Sequence, residues 1–241
     1  MKRIMATLII STGMTLWSAS DREQVKALIS EGKYTQAITL TALQCTEKKD
    51  EIACKEMMQL YKKGYQEYHI KRDLKKMLYY AEISCKNGIA RGCRTAGDLY
   101  WDAQQSEEAG VKQNLLKAVQ YYKQACNAGD EGTSCEIGND SGLIVSALAI
   151  PKMSNRNNQI ENILQAGYDV NAKRYGMTSL CVVTRTNDIE LAKLLLKYNA
   201  NPTVVCDTEG RHFNAFDIAK EAELRTGDKR MLELLKKYQK Q

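Results

Sequence analysis

The sequence predicts an all-α fold, an α/α solenoid of stacked helix pairs cross-linked by disulfide bonds. One helical pattern that ends in cysteine occurs three times, and its copies begin 40 and 41 residues apart. A single short helix pair cannot bury its apolar face, so a repeat of this period indicates stacked pairs. The copies are KYTQAITLTALQC (Lys33 to Cys45), DLKKMLYYAEISC (Asp73 to Cys85) and NLLKAVQYYKQAC (Asn114 to Cys126).

Residues 1 to 20 are predicted to be a signal peptide. Lys2 and Arg3 form a basic start, Ile4 to Trp17 is mostly apolar, and small residues ending at Ser20 precede the charged Asp21. The alternative is a membrane anchor, but about 20 apolar residues are needed to span a bilayer and this run is shorter. We therefore expect cleavage near Ser20 and export, with no stable membrane insertion afterwards.

Eight cysteines in an exported chain indicate a disulfide framework. Each cysteine that closes a copy is followed 8 or 9 residues later by another, a spacing that lets the two Cβ atoms approach across a tight turn between antiparallel helices. A metal site is the alternative, but the two histidines, His69 and His212, lie far apart, and neither a metal nor a cofactor is expected. The predicted bridges are Cys45 with Cys54, Cys85 with Cys93, and Cys126 with Cys135.

The remaining segments of this half complete the helix pairs. A first helix is predicted from Asp21 up to Gly32, and a second helix from Cys54 to Tyr61 follows the first copy. A longer loop is predicted from Gln104 to Gly110, before the third copy. Four tyrosines fall at repeat-matched positions, so we assign them to core packing; these are Tyr61, Tyr80, Tyr100 and Tyr121.

Residues 21 to 140 resemble the Sel-one-like repeats, which are relatives of tetratricopeptide repeats. The resemblance rests on GC-x-x-x-G-x-L-Y (Gly92 to Tyr100) and on GV-K-x-x-L-x-K-A-x-x-YY-x-x-AC-x-x-G (Gly110 to Gly129). It is closest to the cysteine-rich exported branch of the family. The segment YKKGYQEYHIKRD, which follows the helix from Cys54, departs from the family pattern because it lacks the usual Gly-x-Gly-Val turn.

Residues 141 to 241 follow a shorter period, since ILQAGYDVN (Ile163 to Asn171) and LLKYNANPT (Leu195 to Thr203) begin 32 residues apart. Between them, Gly176 and Thr178 precede a short helix, and Ile189 to Tyr198 is predicted as a second helix. The pattern resembles ankyrin repeats, with G-x-T-x-L followed by a leucine-rich helix and D-x-x-G. Three units fit, from Ser141 to Ala172, from Lys173 to Asp207 and from Thr208 to Gln241.

Two departures from the ankyrin pattern affect the predicted geometry. Cys181 stands where the family has histidine in Thr-Pro-Leu-His, and Arg211 to Phe213 looks like a small insertion before the last unit's helix. Cys181 would lie on the first helix of the middle unit and Cys206 on the following hairpin. We predict a fourth bridge between them, which leaves no odd thiol. The segment from Asn139 to Asn158 is the candidate position for a hinge between the two arrays.

Catalysis is not expected. Cysteine-rich relatives are often linked to β-lactamase or penicillin-binding activity, which uses S-x-x-K with S-D-N and K-T-G elements. This chain has Ser30-Glu31-Gly32-Lys33, but it lies on a glycine turn and the companion elements are missing. Nucleic acid is not expected either, because the formal charge of +6 falls to +4 without Lys2 and Arg3.

The function predicted is a periplasmic protein–protein interaction module without catalytic activity. Its specific form would be an immunity protein that blocks a toxin acting in the periplasm; another cell-envelope protein is the broader partner class. Two alternatives stay open, a β-lactamase-like or penicillin-binding-like hydrolase and a secreted protein that binds a host receptor. Aromatic and basic residues outside the repeat register are the candidate contacts; these are Tyr65, Tyr68, Trp101, Arg174, Tyr175, Arg211, His212 and Phe213.

Overall fold

The computed structural model describes residues 19–138, 142–150 and 153–239. Over these ranges the chain forms fourteen α-helices, one short 3₁₀-helix (Gln66–Tyr68) and four short strands, the all-α solenoid predicted from the sequence. Residues 1–18 of the predicted signal peptide lie outside the described residues. Among the helices described, none has the length and apolarity needed to cross a membrane.

The three cysteine-ended copies form the second, fourth and seventh helices. The fourth and seventh begin where a polar side chain caps the helix: Asp73 Oδ1 accepts from the backbone N–H of Lys76, and Asn114 Oδ1 accepts from that of Lys117, both at 2.9 Å. The helices of this half are α1 (Ala19–Ser30), α2 (Tyr34–Thr46), α3 (Glu51–Lys63), α4 (Leu74–Lys86), α5 (Ala90–Trp101), α6 (Ala103–Glu108), α7 (Leu115–Asn127) and α8 (Thr133–Gly138).

The predicted loop from Gln104 to Gly110 is wrong, because α6 occupies most of it. Asp102 caps this helix by accepting from the backbone N–H of Gln105 at 2.8 Å. The buried hydroxyl of Ser106 donates to the carbonyl oxygen of Leu99 at 2.7 Å, which holds α6 against the end of α5. The extra helix depends on this contact with α5, which the local sequence pattern does not reveal.

Three helix pairs alternate with two β-hairpins in the second half. Arg211 to Phe213, predicted as a small insertion before the helix of the last unit, forms a strand that directly precedes that helix. The elements are α9 (Leu143–Leu148), α10 (Arg156–Gln165), β1 (Lys173–Arg174), β2 (Met177–Thr178), α11 (Ser179–Arg185), α12 (Ile189–Lys197), β3 (Cys206–Thr208), β4 (Arg211–Phe213), α13 (Ala215–Thr226) and α14 (Arg230–Gln239). Strand β1 pairs with β2, and β3 with β4, both antiparallel.

All four predicted disulfides are present and together use every cysteine. Three of them join a cysteine-ended helix to the next helix: α2 to α3, α4 to α5, and α7 to α8. Their Cα atoms are 4.6, 4.4 and 4.8 Å apart. The fourth joins Cys181 on α11 to Cys206 on β3, with Cα atoms 6.8 Å apart. Each bridge therefore holds neighbouring elements.

The repeat-matched tyrosines pack against the core, as expected, and they do so in pairs. Tyr61 stacks on Tyr80 and Tyr100 stacks on Tyr121, each with ring centroids 5.8 Å apart. All four rings contact the hydrophobic core. The same aromatic pair thus recurs between α3 and α4 and between α5 and α7.

One hydrophobic core extends from Met58 to Leu235 and includes both halves of the chain. At the junction, Gln159 of α10 accepts from the backbone N–H of Leu115 at 3.1 Å and donates to the carbonyl oxygen of Gln113 at 2.7 Å. The Gln113 side chain in turn accepts from Ser154 at 3.0 Å, within the segment where a hinge was expected. Buried apolar contacts and a hydrogen-bonded amide network therefore connect the halves.

Candidate protein-binding surfaces

The first candidate surface is built from the two β-hairpins. Each hairpin has a two-residue tip in which both residues have positive φ: Tyr175 (51°) and Gly176 (74°) in the first, Glu209 (53°) and Gly210 (74°) in the second. Positive φ at both positions is the type I′ geometry that matches the twist of the flanking strands. We call the surface formed by Arg174, Tyr175, Arg211, His212 and Phe213 the hairpin ridge.

The two hairpins are in direct backbone contact. The N–H of Asp207 donates to the carbonyl oxygen of Gly176 at 2.8 Å. A Cβ atom on Gly176 would lie 1.8 Å from the carbonyl oxygen of Asp207, far inside van der Waals contact. Position 176 therefore requires glycine both for its φ and for the close approach of the second hairpin. This contact fixes the two tips relative to each other.

Tyr175 is the most prominent side chain of the ridge. It is 82% exposed. Its ring lies 5.2 Å from the guanidinium of Arg174, a cation–π distance. Arg174 itself is largely buried and forms an ion pair with Glu136 of α8 at 3.0 Å. Arg174 therefore anchors the first hairpin to α8, while Tyr175 points to solvent.

The second hairpin contributes two exposed side chains and one that is half-buried. Arg211 and His212 are exposed, and His212 Nδ1 lies 3.4 Å from the carboxylate of Asp207 across the strand pair. Phe213 packs in the cluster around the Cys181–Cys206 bridge, with the Arg185 guanidinium 5.5 Å from its ring. The exposed side chains of the ridge are therefore an aromatic ring on the first hairpin and a guanidinium and an imidazole group on the second.

The second candidate surface is a groove near the start of the described chain. Because α2 packs against both α1 and α3, it forms the floor, and the other two helices form the walls. Tyr65 and Tyr68 lie at one end of the groove. There the ring of Tyr68 contacts two other rings, that of Tyr34 with centroids 4.5 Å apart and that of Tyr65 with centroids 5.7 Å apart. The groove holds about 500 Å³. We call it the α1–α3 groove.

Trp101 lies on neither surface. It is half-buried, contacts the hydrophobic core and packs against Tyr122 with ring centroids 6.0 Å apart. Its carbonyl oxygen accepts from Gln113, which belongs to the junction network. Core packing accounts for Trp101, and a role in binding stays a prediction.

Ser30 and Lys33, the S-x-x-K residues, are each engaged elsewhere. Ser30 is the last residue of α1 and its hydroxyl donates to the carbonyl oxygen of Ala27 at 2.8 Å. The Lys33 ammonium pairs with Glu31 at 2.7 Å. The positive φ of Gly32 takes the chain out of the helix between the serine and the lysine. The pair therefore does not have the helical placement that S-x-x-K chemistry uses.

Another polar cluster lies between α4 and α7. Glu82 Oε1 accepts from the hydroxyls of Tyr121 and Tyr100 at 2.9 and 3.2 Å and contacts the Lys117 ammonium at 3.4 Å. Burial, followed by the hydrogen bond to Glu82, raises the pKa of Tyr121. Its hydroxyl thus stays protonated at neutral pH and acts as a donor. The cluster ties the two helices together.

A metal-binding group is not found in the described ranges, where no cluster of three or more His, Cys, Asp or Glu side chains has suitable geometry. No family model matches the chain, and no curated protein matches it. The resemblances to Sel-one-like and ankyrin repeats therefore stay predictions that rest on the quoted motifs.

The α1–α3 groove also contains residues that sequence reasoning missed as binding candidates. Ile29 and Ile52 are 38% and 40% exposed and line it. Although α1 packs against α2, the exposure of Ile29 shows that α2 covers only part of the apolar face of α1. The signal that could have revealed this is an apolar stripe wider than a single partner helix can bury.

Proposed function

We propose that this protein is an exported protein-binding module that contacts its partner through the hairpin ridge. Four disulfides that use every cysteine are typical of proteins that fold in an oxidising compartment, which supports export. The observation that carries the binding role is Tyr175, an almost fully exposed tyrosine held in the left-handed region of backbone space.

Such a residue is unfavourable for folding alone. A non-glycine side chain in the left-handed conformation costs about 1–2 kcal/mol, and asparagine or aspartate fits the same turn at lower cost. Tyr175 recovers little of that energy by burial, because 82% of it faces solvent. Tyrosine is, however, among the residues that contribute most to protein interfaces. A partner that buries Tyr175 accounts for its presence at this tip.

Photo-crosslinking tests this proposal. Benzoylphenylalanine placed at position 175 of the exported protein is expected to form one discrete adduct with a partner protein in the cell envelope. Tyr79, which is 55% exposed on α4, provides the matched control position. Adducts of the same size and yield from both positions, or none from position 175, would remove the hairpin ridge as the binding surface.

The specific form of the proposal is an immunity protein that blocks a periplasm-acting toxin. An inhibitor of this kind needs export and a rigid binding surface, and no catalytic group of its own. Cells that produce the signal-bearing protein are expected to survive a toxin encoded beside its gene, and Tyr175→Ala is expected to reduce survival. Equal killing with and without the wild-type protein would contradict the immunity role while leaving the wider binding proposal open to the crosslinking test.

A further inference from the structure

The α1–α3 groove concentrates exposed apolar surface. Eight large hydrophobic residues are exposed in the described part of the chain, and three of them, Ile29, Ile52 and Tyr65, line this groove. Scattered exposed hydrophobic residues are ordinary, but a contiguous apolar patch with polar rims marks an interaction site. The hairpin ridge is made of different elements, so the groove is a second, separate surface.

The shape of the groove fits a helix. Its α1 wall presents Arg22, Val25, Lys26 and Ile29, an i, i+3, i+4, i+7 stripe that runs for about two turns or 10 Å. Its α2 floor presents Tyr34, Ala37, Ile38 and Thr41 with the same spacing. Helices bond their own backbone groups internally, so these elements offer no strand edge for an extended peptide. An amphipathic helix with apolar anchors two turns apart matches both surfaces.

The charges on the two walls differ in sign. Arg22 and Lys26 place two cations along the α1 wall, whereas Glu56 places an anion on the α3 wall. A helix in the groove would therefore be favoured by acidic side chains on the edge next to α1. A second copy of this chain is disfavoured as the occupant, because the chain keeps a formal net charge of +4 without Lys2 and Arg3.

We propose that the α1–α3 groove binds an amphipathic helix of a partner protein, with its apolar face on Ile29, Ile52 and Tyr65 and an acidic edge beside Lys26. The three apolar side chains supply the hydrophobic surface that the anchor residues of the bound helix would cover. The difference in charge between the α1 wall and the α3 wall sets the direction in which the helix lies. The groove thereby gives the protein a recognition element distinct from the hairpin ridge.

The test is a selection from a displayed library of helical peptides on the exported, disulfide-bonded protein. Recovered peptides are expected to carry apolar residues at i, i+3 or i+4, and i+7, with Asp or Glu along one edge. In fluorescence anisotropy, Ile29→Glu is expected to weaken the best peptide at least about tenfold, the loss of one interface anchor. Lys26→Glu is expected to weaken it by about two- to fivefold, as for an exposed ion pair.

Leu224→Glu is the matched control, because Leu224 is equally apolar, 89% exposed and located on α13. It should leave peptide affinity unchanged, and circular dichroism should show that all three variants are folded. Recovered peptides without helical spacing, peptides with a basic edge, or equal affinity for Ile29→Glu would overturn the proposal. A wild-type dimer in sedimentation that Ile29→Glu abolishes would also overturn it, since a second copy would then fill the groove.

Discussion

Replacement of Gln159 by alanine is expected to destabilise the junction between the two halves of the protein. Gln159 is buried on α10 and satisfies two backbone groups of the preceding half, the N–H of Leu115 and the carbonyl oxygen of Gln113. Leu115 is the first residue of α7, where a helix has no internal acceptor partner for its N–H. The Gln159 side chain therefore acts as a remote cap for α7.

The magnitude follows from the two groups that lose their partner. Leu115 is fully buried, so water has no ready access to its N–H once the amide is removed. A buried backbone group left without a hydrogen bond costs about 1–3 kcal/mol, so two such groups give a loss of about 2–6 kcal/mol in the free energy of unfolding. Gln159→Met keeps the side-chain volume, and it should show most of the same loss if the hydrogen bonds dominate.

The measurement is urea unfolding followed by circular dichroism at 222 nm, with the slope of the transition compared between variants. Gln120→Ala is the control, because Gln120 is exposed on α7 and its removal should change the free energy of unfolding by at most about 0.5 kcal/mol. If Gln159→Ala and Gln120→Ala unfold at the same urea concentration, the amide network does not stabilise the junction and the reasoning fails.

Three further predictions concern the hairpins, the disulfides and a tyrosine. Gly176→Ala should destabilise the protein by at least about 2 kcal/mol in the same assay, whereas Gly210→Ala, which has the same φ but open space around it, should cost about 1 kcal/mol from backbone strain alone. Limited reduction followed by alkylation and mass mapping should label Cys126 and Cys135 first, because both are partly exposed whereas the other six cysteines are buried. Labelling of any other cysteine first would contradict this prediction. Burial raises the pKa of Tyr80 to about 12 from 10.0, which favours its protonated form in the folded state. The contribution of Tyr80 to the free energy of unfolding should therefore be present below pH 10 and be lost as the pH rises towards 12. Tyr80→Phe should reduce the dependence of the melting temperature on pH over that window, and an unchanged profile would refute this assignment.

The helix pairs and their bridges were predictable because they are local. A repeat of 40 or 41 residues places three pairs of cysteines on either side of one turn, and these three bridges formed as the spacing suggested. The fourth bridge, Cys181 with Cys206, spans 25 residues and was predicted because it leaves no odd thiol. The polar residues Asp73 and Asn114 cap their helices through bonds to residues three positions along. Such contacts join residues that are close in the sequence, so the local sequence pattern predicts them.

Features set by contacts between distant segments were not predictable in this way. The hydrogen bonds of Gln159 join residues 44 and 46 positions apart, and no local pattern identifies the partner of a lone glutamine. The α1–α3 groove depends on how closely α1 approaches α3. The residues of the hairpin ridge were predicted as candidate contacts, but the bond between Asp207 and Gly176 that joins the two hairpins follows only from the packing of both hairpins.

The four bridges also determine how the chain would respond to stretching. Each one closes a segment of 8, 9 or 25 residues, and no bridge crosses from α8 to α9. Under tension, the oxidised chain can lengthen between the bridged segments but not within them. The segment between Cys181 and Cys206 alone withholds roughly 75–85 Å of extension, at about 3.3–3.6 Å per residue and with its ends already 6.8 Å apart. The junction around Gln159, like the contacts between α3 and α4 and between α5 and α7, is held only by non-covalent contacts. A pulled molecule would therefore separate between its bridged segments while those segments stay closed.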